Sequence, residues 1–457
     1  MPSGPRIDYT QLTERFRRFL RRGVTNALDA CRSLEISQPT FSRVLSLNRP
    51  GVLSVGKARK TRYALRREIP NVGRAVVVHQ INEEGEASEL GTLHGIEPDN
   101  GFYFESSRPG DCPSRFYEDL PYFLNDLRPA GFLGRLIPQK YPELDAPKDI
   151  SRWSADDCLK YLTRYGSDLI GNLILGDEAF RKYLKSKSSS YFVSHENRSN
   201  EYPRMASAVL EYGDPGSSAG GEQPKFSAVV GDDRTAVLVK FSPKIDAEVG
   251  RRVADLLICE AISSSVLGSA GRKVASSEIL FGNDQVFLEV RRFDRAGRNG
   301  RRGLISLETL DAGYAGRGTS WVDRARALRE EGIIGRDDYD EVRWRELYGH
   351  LIGNTDMHAA NISFFMEWPR KVRLAPIYDM LPMLYIPRND QIIERDFVPP
   401  LPSPGDSDIW LEVWETARRF WRAVSGDGRV SAGFRAIAGE NFAKLDAQEE
   451  LGRLLPK

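Results

Sequence analysis

Thr355-Asp356-Met357-His358-Ala359-Ala360-Asn361 is the stretch on which the reading of this chain turns. It sets an aspartate and an asparagine five residues apart, behind the apolar helix end Leu351-Ile352-Gly353-Asn354. A carboxylate so placed can orient and deprotonate an attacking hydroxyl, and an amide oxygen on the same loop can bind magnesium. One Asp near one Asn is common, so the meaning of the loop depends on its company.

Three further pieces keep it company, in a fixed order. Upstream lies Gly216-Ser217-Ser218-Ala219-Gly220-Gly221-Glu222-Gln223-Pro224-Lys225. A glycine-rich turn lets backbone N–H groups approach phosphates closely, and Ser217 and Ser218 add hydroxyl donors. The turn opens a hairpin expected over residues 226–230 and 235–241, and it fits neither a Walker A loop nor GxGxxG. Lys240 closes the second, strongly apolar strand, from where an ammonium can reach nucleotide phosphates; an edge lysine facing solvent is the plain alternative. Downstream, Ile377-Tyr378-Asp379 follows a strand-like run and supplies a carboxylate able to bridge Mg²⁺ to phosphate. Gly loop, Lys, Asp-x₄-Asn and Asp together repeat the parts list of a protein kinase, with Asp356 as catalytic base and ATP and Mg²⁺ as cofactors.

The 457 residues suffice for two or three domains, and no apolar run approaches the roughly 18 residues that span a bilayer. Residues 1–22 have no apolar signal core, and the four cysteines lie far apart without a CxxC pair, so the expected setting is the cytoplasm, with no membrane and ordinary buried thiols. The formal net charge of +1 hides a split. Residues 1–68 carry 15 Lys and Arg against 5 Asp and Glu, a net +10, and the remainder carries −9. A basic head on a mildly acidic body points to a polyanion partner for the head.

That head reads as three helices and a basic hairpin. Residues 9–22 place Leu12, Phe16, Phe19 and Leu20 on one face. Thr25 is positioned to cap a second helix burying Ala27, Leu28 and Cys31. Ser37 is positioned to cap a third, residues 38–47, with Pro39 in its first turn, where the missing N–H costs little. Phe41, Val44 and Leu45 are expected inward; Gln38, Thr40, Ser42 and Arg43 outward. Two strands follow around Gly56-Lys57-Ala58-Arg59-Lys60. The whole resembles a winged helix-turn-helix for duplex DNA, with Gln38, Thr40, Ser42 and Arg43 facing bases and Lys57, Arg59 and Lys60 facing phosphates. A protein-packing module is the bland alternative.

From about residue 74 onward the chain resembles the HipA-like serine/threonine kinases, toxins of bacterial toxin–antitoxin systems. The likeness rests on Gly220-Gly221-Glu222-Gln223-Pro224-Lys225, Leu169-Ile170-Gly171-Asn172, Arg292-Phe293-Asp294-Arg295, residues 355–363 and Pro376-Ile377-Tyr378-Asp379. It is nearest the YjjJ-type branch, whose members carry their own N-terminal helix-turn-helix. The resemblance implies that Asn361 and Asp379 bind magnesium, that Lys240 holds ATP, and that Val290, Arg291 and Phe293 belong to a hinge beside adenine. His358 belongs to the same motif, as a brace of the catalytic loop near the nucleotide. The resemblance also implies self-inhibitory phosphorylation of a glycine-loop serine, Ser218 with Ser217 adjacent. It implies an antitoxin partner and a protein substrate such as an aminoacyl-tRNA synthetase, with a chromosomal protein permitted by the DNA-binding head. Three departures stand out. Arg291 takes the place of a hinge glutamate, with Glu289 two residues earlier. Ala360 replaces a common lysine. Glu248, Asp255 and Glu260 all remain open as partners of Lys240.

The expected architecture is α+β: a winged helix-turn-helix (1–68), a β-rich subdomain (69–150), a β-rich kinase N-lobe (151–295) and an all-helical C-lobe (296–457). Two rival readings exist. One is a metal-dependent nuclease using Asp356, His358, Asn361 and Asp379. The other is a DNA-binding transcriptional regulator with a degenerate kinase body.

Overall fold

In the computed structural model, which describes residues 8–110, 112–189, 191–212, 223–367 and 371–449, the basic head is built around a small aromatic core. Helix α1 (Tyr9–Leu20) is capped by Asp8, whose carboxylate accepts the Thr10 N–H at 2.9 Å. Its Leu12, Phe16 and Leu20 recur every four residues and so share one face. That face packs on α2 (Ala27–Leu34) and α3 (Gln38–Leu47), with Phe16 edge-on to Phe41 at 5.7 Å. Strands β1 (Thr25–Asn26), β2 (Val52–Val55) and β3 (Arg62–Leu65) form an antiparallel sheet in the order β1-β3-β2.

Two expectations for the head are corrected. Asn26 caps α2, while Thr25 sits in β1; the buried side then falls on Ala30 and Leu34, and Leu28 is 68% exposed. Thr40 faces inward, 9% exposed, with its hydroxyl 2.9 Å from that of Ser37. Gln38, Ser42, Arg43, Lys57, Arg59 and Lys60 are all exposed, as expected.

The middle of the chain folds as a meander of β4 (Ala75–Ile81), β5 (Ala87–Ile96), β6 (Gly101–Ser106) and β7 (Arg115–Tyr117), followed by α4 (Gly131–Lys140) and α5 (Ala155–Tyr165). Strand β8 (Leu173–Leu175) then returns to pair with β4, giving the order β7-β6-β5-β4-β8, before α6 (Asp177–Lys187). An all-apolar strand buried on both faces needs a sheet to join, and the nearest is this one. Residues 151–187 therefore belong with the middle sheet, not with the N-lobe as expected from the sequence.

The body has two lobes. In the first, α7 (Arg198–Leu210) lies against a four-stranded antiparallel sheet of β9 (Lys225–Val230), β10 (Thr235–Phe241), β11 (Ser277–Gly282) and β12 (Gln285–Arg291), ordered β11-β12-β10-β9. Helix α8 (Glu248–Ser269) connects β10 to β11 and is buried along most of its length. Buried Tyr202 and Ala206 hold α7 on the sheet. A short hairpin, β13 (Arg295–Ala296) and β14 (Gly300–Arg301), leads into β15 (Leu304–Ser306) and the second lobe. There α9 (Leu307–Tyr314), α10 (Trp321–Glu330), α11 (Arg336–Leu351), α12 (Trp410–Gly426) and α13 (Ala432–Asp446) enclose a core that includes Trp344, Trp410, Phe420 and Trp421. The lobe is not helical throughout. Strands β16 (Ser363–Glu367) and β17 (Lys371–Leu374) join β15 in a three-stranded sheet, and these strands flank the Asp356 and Asp379 loops. Of the cysteines, Cys112, Cys158 and Cys259 are buried and Cys31 is partly so. Among the described residues no helix is long and apolar enough to cross a membrane.

Ionic clamps lock the units together. Arg67, at the end of the head, makes a bidentate pair with Asp156 of α5 at 2.6 and 2.9 Å, and also donates to the Ile96 carbonyl. Asp294 accepts the Gly171 N–H at 2.8 Å and pairs with Arg292 and Arg295, whose guanidiniums also reach Asp168. Burial disfavours the Asp294 carboxylate, but Arg292 and Arg295 outweigh it and hold its pKa below the usual value.

Truncating Asp156 to Ala leaves a guanidinium buried without its partner, and the expected cost is about 3 kcal/mol, read from the shift of a urea denaturation curve. A depressed carboxylate stabilises the fold above an unfolded pKa of about 4, and that contribution fades as pH falls through the lower folded value. Asp294→Asn is accordingly expected to lower stability at neutral pH and to flatten its decline below about pH 4, as followed by thermal unfolding across pH.

Candidate active site

Three of the four pieces, Lys240, the Asp356–Asn361 loop and Asp379, meet between the lobes, although Lys240 and Asp379 lie 139 residues apart in the chain. Lys240, near the end of β10, is 3% exposed. Its ammonium donates to both carboxylate oxygens of Glu260 at 2.7 Å and to Oδ1 of Asp379. Burial lowers the Lys240 pKa, and the facing Glu260 pulls it back up. Of the three candidate partners, only Glu260 serves. Glu248 is exposed at the first turn of α8. Asp255 is turned the other way, accepting the Ser431 N–H at 2.7 Å and the Ser431 hydroxyl at 2.6 Å at the start of α13.

The Asp356 loop leaves α11 through Gly353, whose φ of +71° lies in the left-handed region that glycine tolerates. Asn354 then ties two loops together: its Oδ1 accepts the Asp356 N–H at 3.0 Å, and its Nδ2 donates to the Asp379 carbonyl at 3.4 Å. Asn361 Nδ2 donates to the Asp356 carbonyl at 2.8 Å, which leaves its amide oxygen as the free acceptor. The Asp356 side chain is 50% exposed, open to an incoming group. Asp379 holds a φ of +54°, an unfavourable setting for a side-chain-bearing residue that clusters at functional sites. Asn354 went unnoticed as a site residue in the sequence. Its signal was an amide directly after a helix-ending glycine and two residues before the candidate base.

Asp379 and Asn361 offer oxygen donors only. Such a set fits magnesium, which takes one or two carboxylates and completes its shell with water and substrate phosphates. His358 Nε2 stands 3.9 Å from Asp356 Oδ1, and the His358 carbonyl accepts the Trp321 indole N–H at 3.0 Å. Asp356, His358 and Asp379 do not gather into a three-ligand metal cluster, nor does any such group of His, Cys, Asp and Glu among the described residues.

The strand expected beside adenine has its own bonds. The Arg291 N–H donates to the Ser276 carbonyl at 2.8 Å and the Arg292 N–H to the Ala236 carbonyl at 2.9 Å. Val290 is part of β12, paired with Leu238. Phe293 packs between Phe365 and Tyr378, with centroids at 5.9 and 5.6 Å. Glu289, two residues ahead of Arg291, is engaged by Arg198 and Tyr202 of α7. Ser217, Ser218, Gly220 and Gly221 lie outside the described residues. Lys225, which opens β9 just after them, pairs in register with Lys240.

Known proteins resemble this chain. The family model for the middle domain of YjjJ-like toxins matches residues 72–184, and that for the HipA-like C-terminal domain matches residues 217–422. A chain in the complex of the Shewanella oneidensis MR-1 toxin–antitoxin system, HipA and HipB with their operator DNA, has a similar fold. It aligns over 83% of this chain and 98% of its own length with a TM-score of 0.52 at 16% identity. Toxin YjjJ of Escherichia coli (strain K12) is 34% identical over 440 residues, which cover 94% of this chain and 97% of that relative. With identity at that level along nearly the whole of both chains, this chain belongs to the HipA-like toxin family, in its YjjJ-like branch.

Proposed function

We propose that the protein is an ATP- and magnesium-dependent protein serine/threonine kinase that restrains growth and binds duplex DNA through its head. The observation that carries this reading is the buried Lys240 ammonium held by Glu260 and Asp379 beside the Asp356–Asn361 loop. In it, Lys240 engages the nucleotide phosphates, with Glu260 keeping the ammonium charged and aimed. Asp356 accepts the proton of the attacking hydroxyl, and Asn361 and Asp379 hold the metal. Bound magnesium would neutralise charge developing on the transferred phosphoryl group. Val290, Arg291 and Phe293 border the adenine side. The glycine-rich turn covers the phosphates, and Ser218, with Ser217 beside it, is the self-inhibitory phosphorylation site: its added charge of about −1.5 to −2 competes with the triphosphate. The protein substrate is a translation factor such as an aminoacyl-tRNA synthetase, or a chromosomal protein. An antitoxin partner is part of the same reading, since the similar Shewanella structure contains one.

Asp356→Asn is expected to lower γ-phosphate transfer by about 10²–10⁴-fold while leaving nucleotide binding intact; Lys240→Ala is expected to weaken both. Radiolabelled ATP with a generic acceptor protein checks the transfer, and intact mass after incubation with Mg-ATP checks for a single added phosphate, absent in Asp379→Asn. Transfer at the wild-type rate by Asp356→Asn would overturn the assignment of the base.

The DNA face comprises Gln38, Ser42 and Arg43 on α3 and Lys57, Arg59 and Lys60 at the wing tip; Thr40 is excluded by its burial. Affinity for duplex DNA should fall steeply with salt, because each neutralised phosphate releases counterions. Replacing the three wing cations should reduce the logarithmic salt slope by about one unit each, whereas Arg43→Ala should change sequence preference. Binding that ignores salt, measured by fluorescence anisotropy, would make the head a protein-contact module.

A further inference from the structure

The middle domain meets the second lobe at a turn that grips both ends of a single helix. The 3-10 segment Tyr122–Leu127 lies across α9. At the N-terminal end the Asp126 carboxylate accepts three hydrogen bonds of 2.7 Å, from the Ser306 N–H, the Ser306 hydroxyl and the Thr309 hydroxyl. At the other end the hydroxyls of Tyr122 and Tyr314 are 2.7 Å apart with their rings edge-on. Gly313 lets this contact close: a Cβ there would stand 2.5 Å from the Tyr122 ring.

Helix α9 does not need Asp126 in order to be capped. Ser306 already accepts the Thr309 N–H at 3.1 Å, which is the ordinary N-cap bond. The three extra bonds come from a different domain, so their effect is on where α9 sits. Its position is passed on directly. The Leu307 N–H donates to the Ile362 carbonyl at 2.9 Å, and Ser306 pairs with Ser363 across β15 and β16. Ser363 Oγ is 2.7 Å from the Tyr378 hydroxyl, which in turn donates to the Ala360 carbonyl at 3.3 Å. Asn361 lies between Ala360 and Ile362, and Asp379 follows Tyr378. Both candidate metal ligands are therefore one residue from the chain of bonds that begins at Asp126.

We propose that Asp126 is a positioning residue for the catalytic loop, through which docking of the middle domain sets the activity of the body. The inference rests on the kinase reading for its activity readout but not for its structural one. A positioning role lowers kcat with little change in KM for ATP, because Glu260 and β10 hold Lys240 independently of α9. In the full-length protein, Asp126→Ala is expected to lower kcat at least tenfold with KM for ATP within twofold. Asp126→Asn, which keeps an acceptor oxygen, should fall between Asp126→Ala and wild type. Hydrogen–deuterium exchange should rise in residues 354–363 of Asp126→Ala and stay unchanged in β9 and β10. Should Asp126→Ala fail to fold, Tyr122→Phe, which removes one hydroxyl at the far end of α9, should show the same pattern with a loss of about threefold. Unchanged exchange at 354–363, or a uniform rise across the whole chain, would overturn the proposal. So would equal kcat values for wild type and Asp126→Ala. A wild-type protein that transfers no phosphate at all refutes the kinase reading, and the exchange pattern then still decides the role of Asp126.

Discussion

A lysine ammonium that is almost wholly removed from water must be given carboxylates, and in this protein that requirement organises the body. Burying a charge without partners costs far more than a fold can spare, and the group would otherwise lose its proton. Lys240 satisfies it with Glu260, from the helix behind the sheet, and Asp379, from the opposite lobe. The three side chains therefore hold α8 on the sheet and the Asp379 loop against it. Around them the backbone is correspondingly constrained: Asp379 has a positive φ, and its carbonyl is tied by Asn354 to the loop of Asp356. Removing one partner of such a group leaves the others uncompensated, so the site is sensitive to single changes.

Motifs that look catalytic by their regularity are in part mechanical. Arg292-Phe293-Asp294-Arg295 and Leu169-Ile170-Gly171-Asn172, read separately in the chain, are the two sides of one clamp. Asp294 receives the Gly171 N–H, while Arg292 and Arg295 both donate to the Leu169 carbonyl. The clamp fixes the end of the β12 segment against the middle domain, at a second point besides the Asp126 grip on α9. Two contacts at separate points define an orientation, which one contact would leave free to pivot.

The head is joined in a comparable way. Beyond the Arg67–Asp156 pair, Leu53 and Ala64 of the wing sheet pack with Ile96 and Tyr103 of the middle sheet. The Glu97 N–H donates to the Leu65 carbonyl at 2.9 Å. A rigid joint of this kind carries the cationic wing tip and the acidic body as one object, so the charge split seen in the sequence becomes a fixed dipole in space.

Local features were legible in the sequence because short-range physics sets them. Ser37 and Pro39 mark the start of α3, the Leu12, Phe16 and Leu20 spacing marks α1, and the hairpin around Lys240 follows from two apolar runs joined by Gly231. The order of glycine turn, Lys240, Asp356, Asn361 and Asp379 was equally plain, since order along the chain survives folding. What remained open was every question about which face meets which partner. Asp255 and Glu260 are five residues apart on α8, hence about 140° apart around its axis. Both are buried, and only packing against α13 on one side and β10 on the other decides that Glu260 is the one that meets Lys240. The same holds for Thr40, turned inward beside Phe41 and Val44, and for β8, which reads as an apolar run and becomes an edge strand of the middle sheet. It holds again for Asp126, an unremarkable aspartate until α9 is laid across it. Spacing in the chain determines which side chains share a face; the partner of that face is chosen by contacts that span from 20 positions for Lys240 and Glu260 to 180 for Asp126 and Ser306, and only the tertiary structure makes that choice.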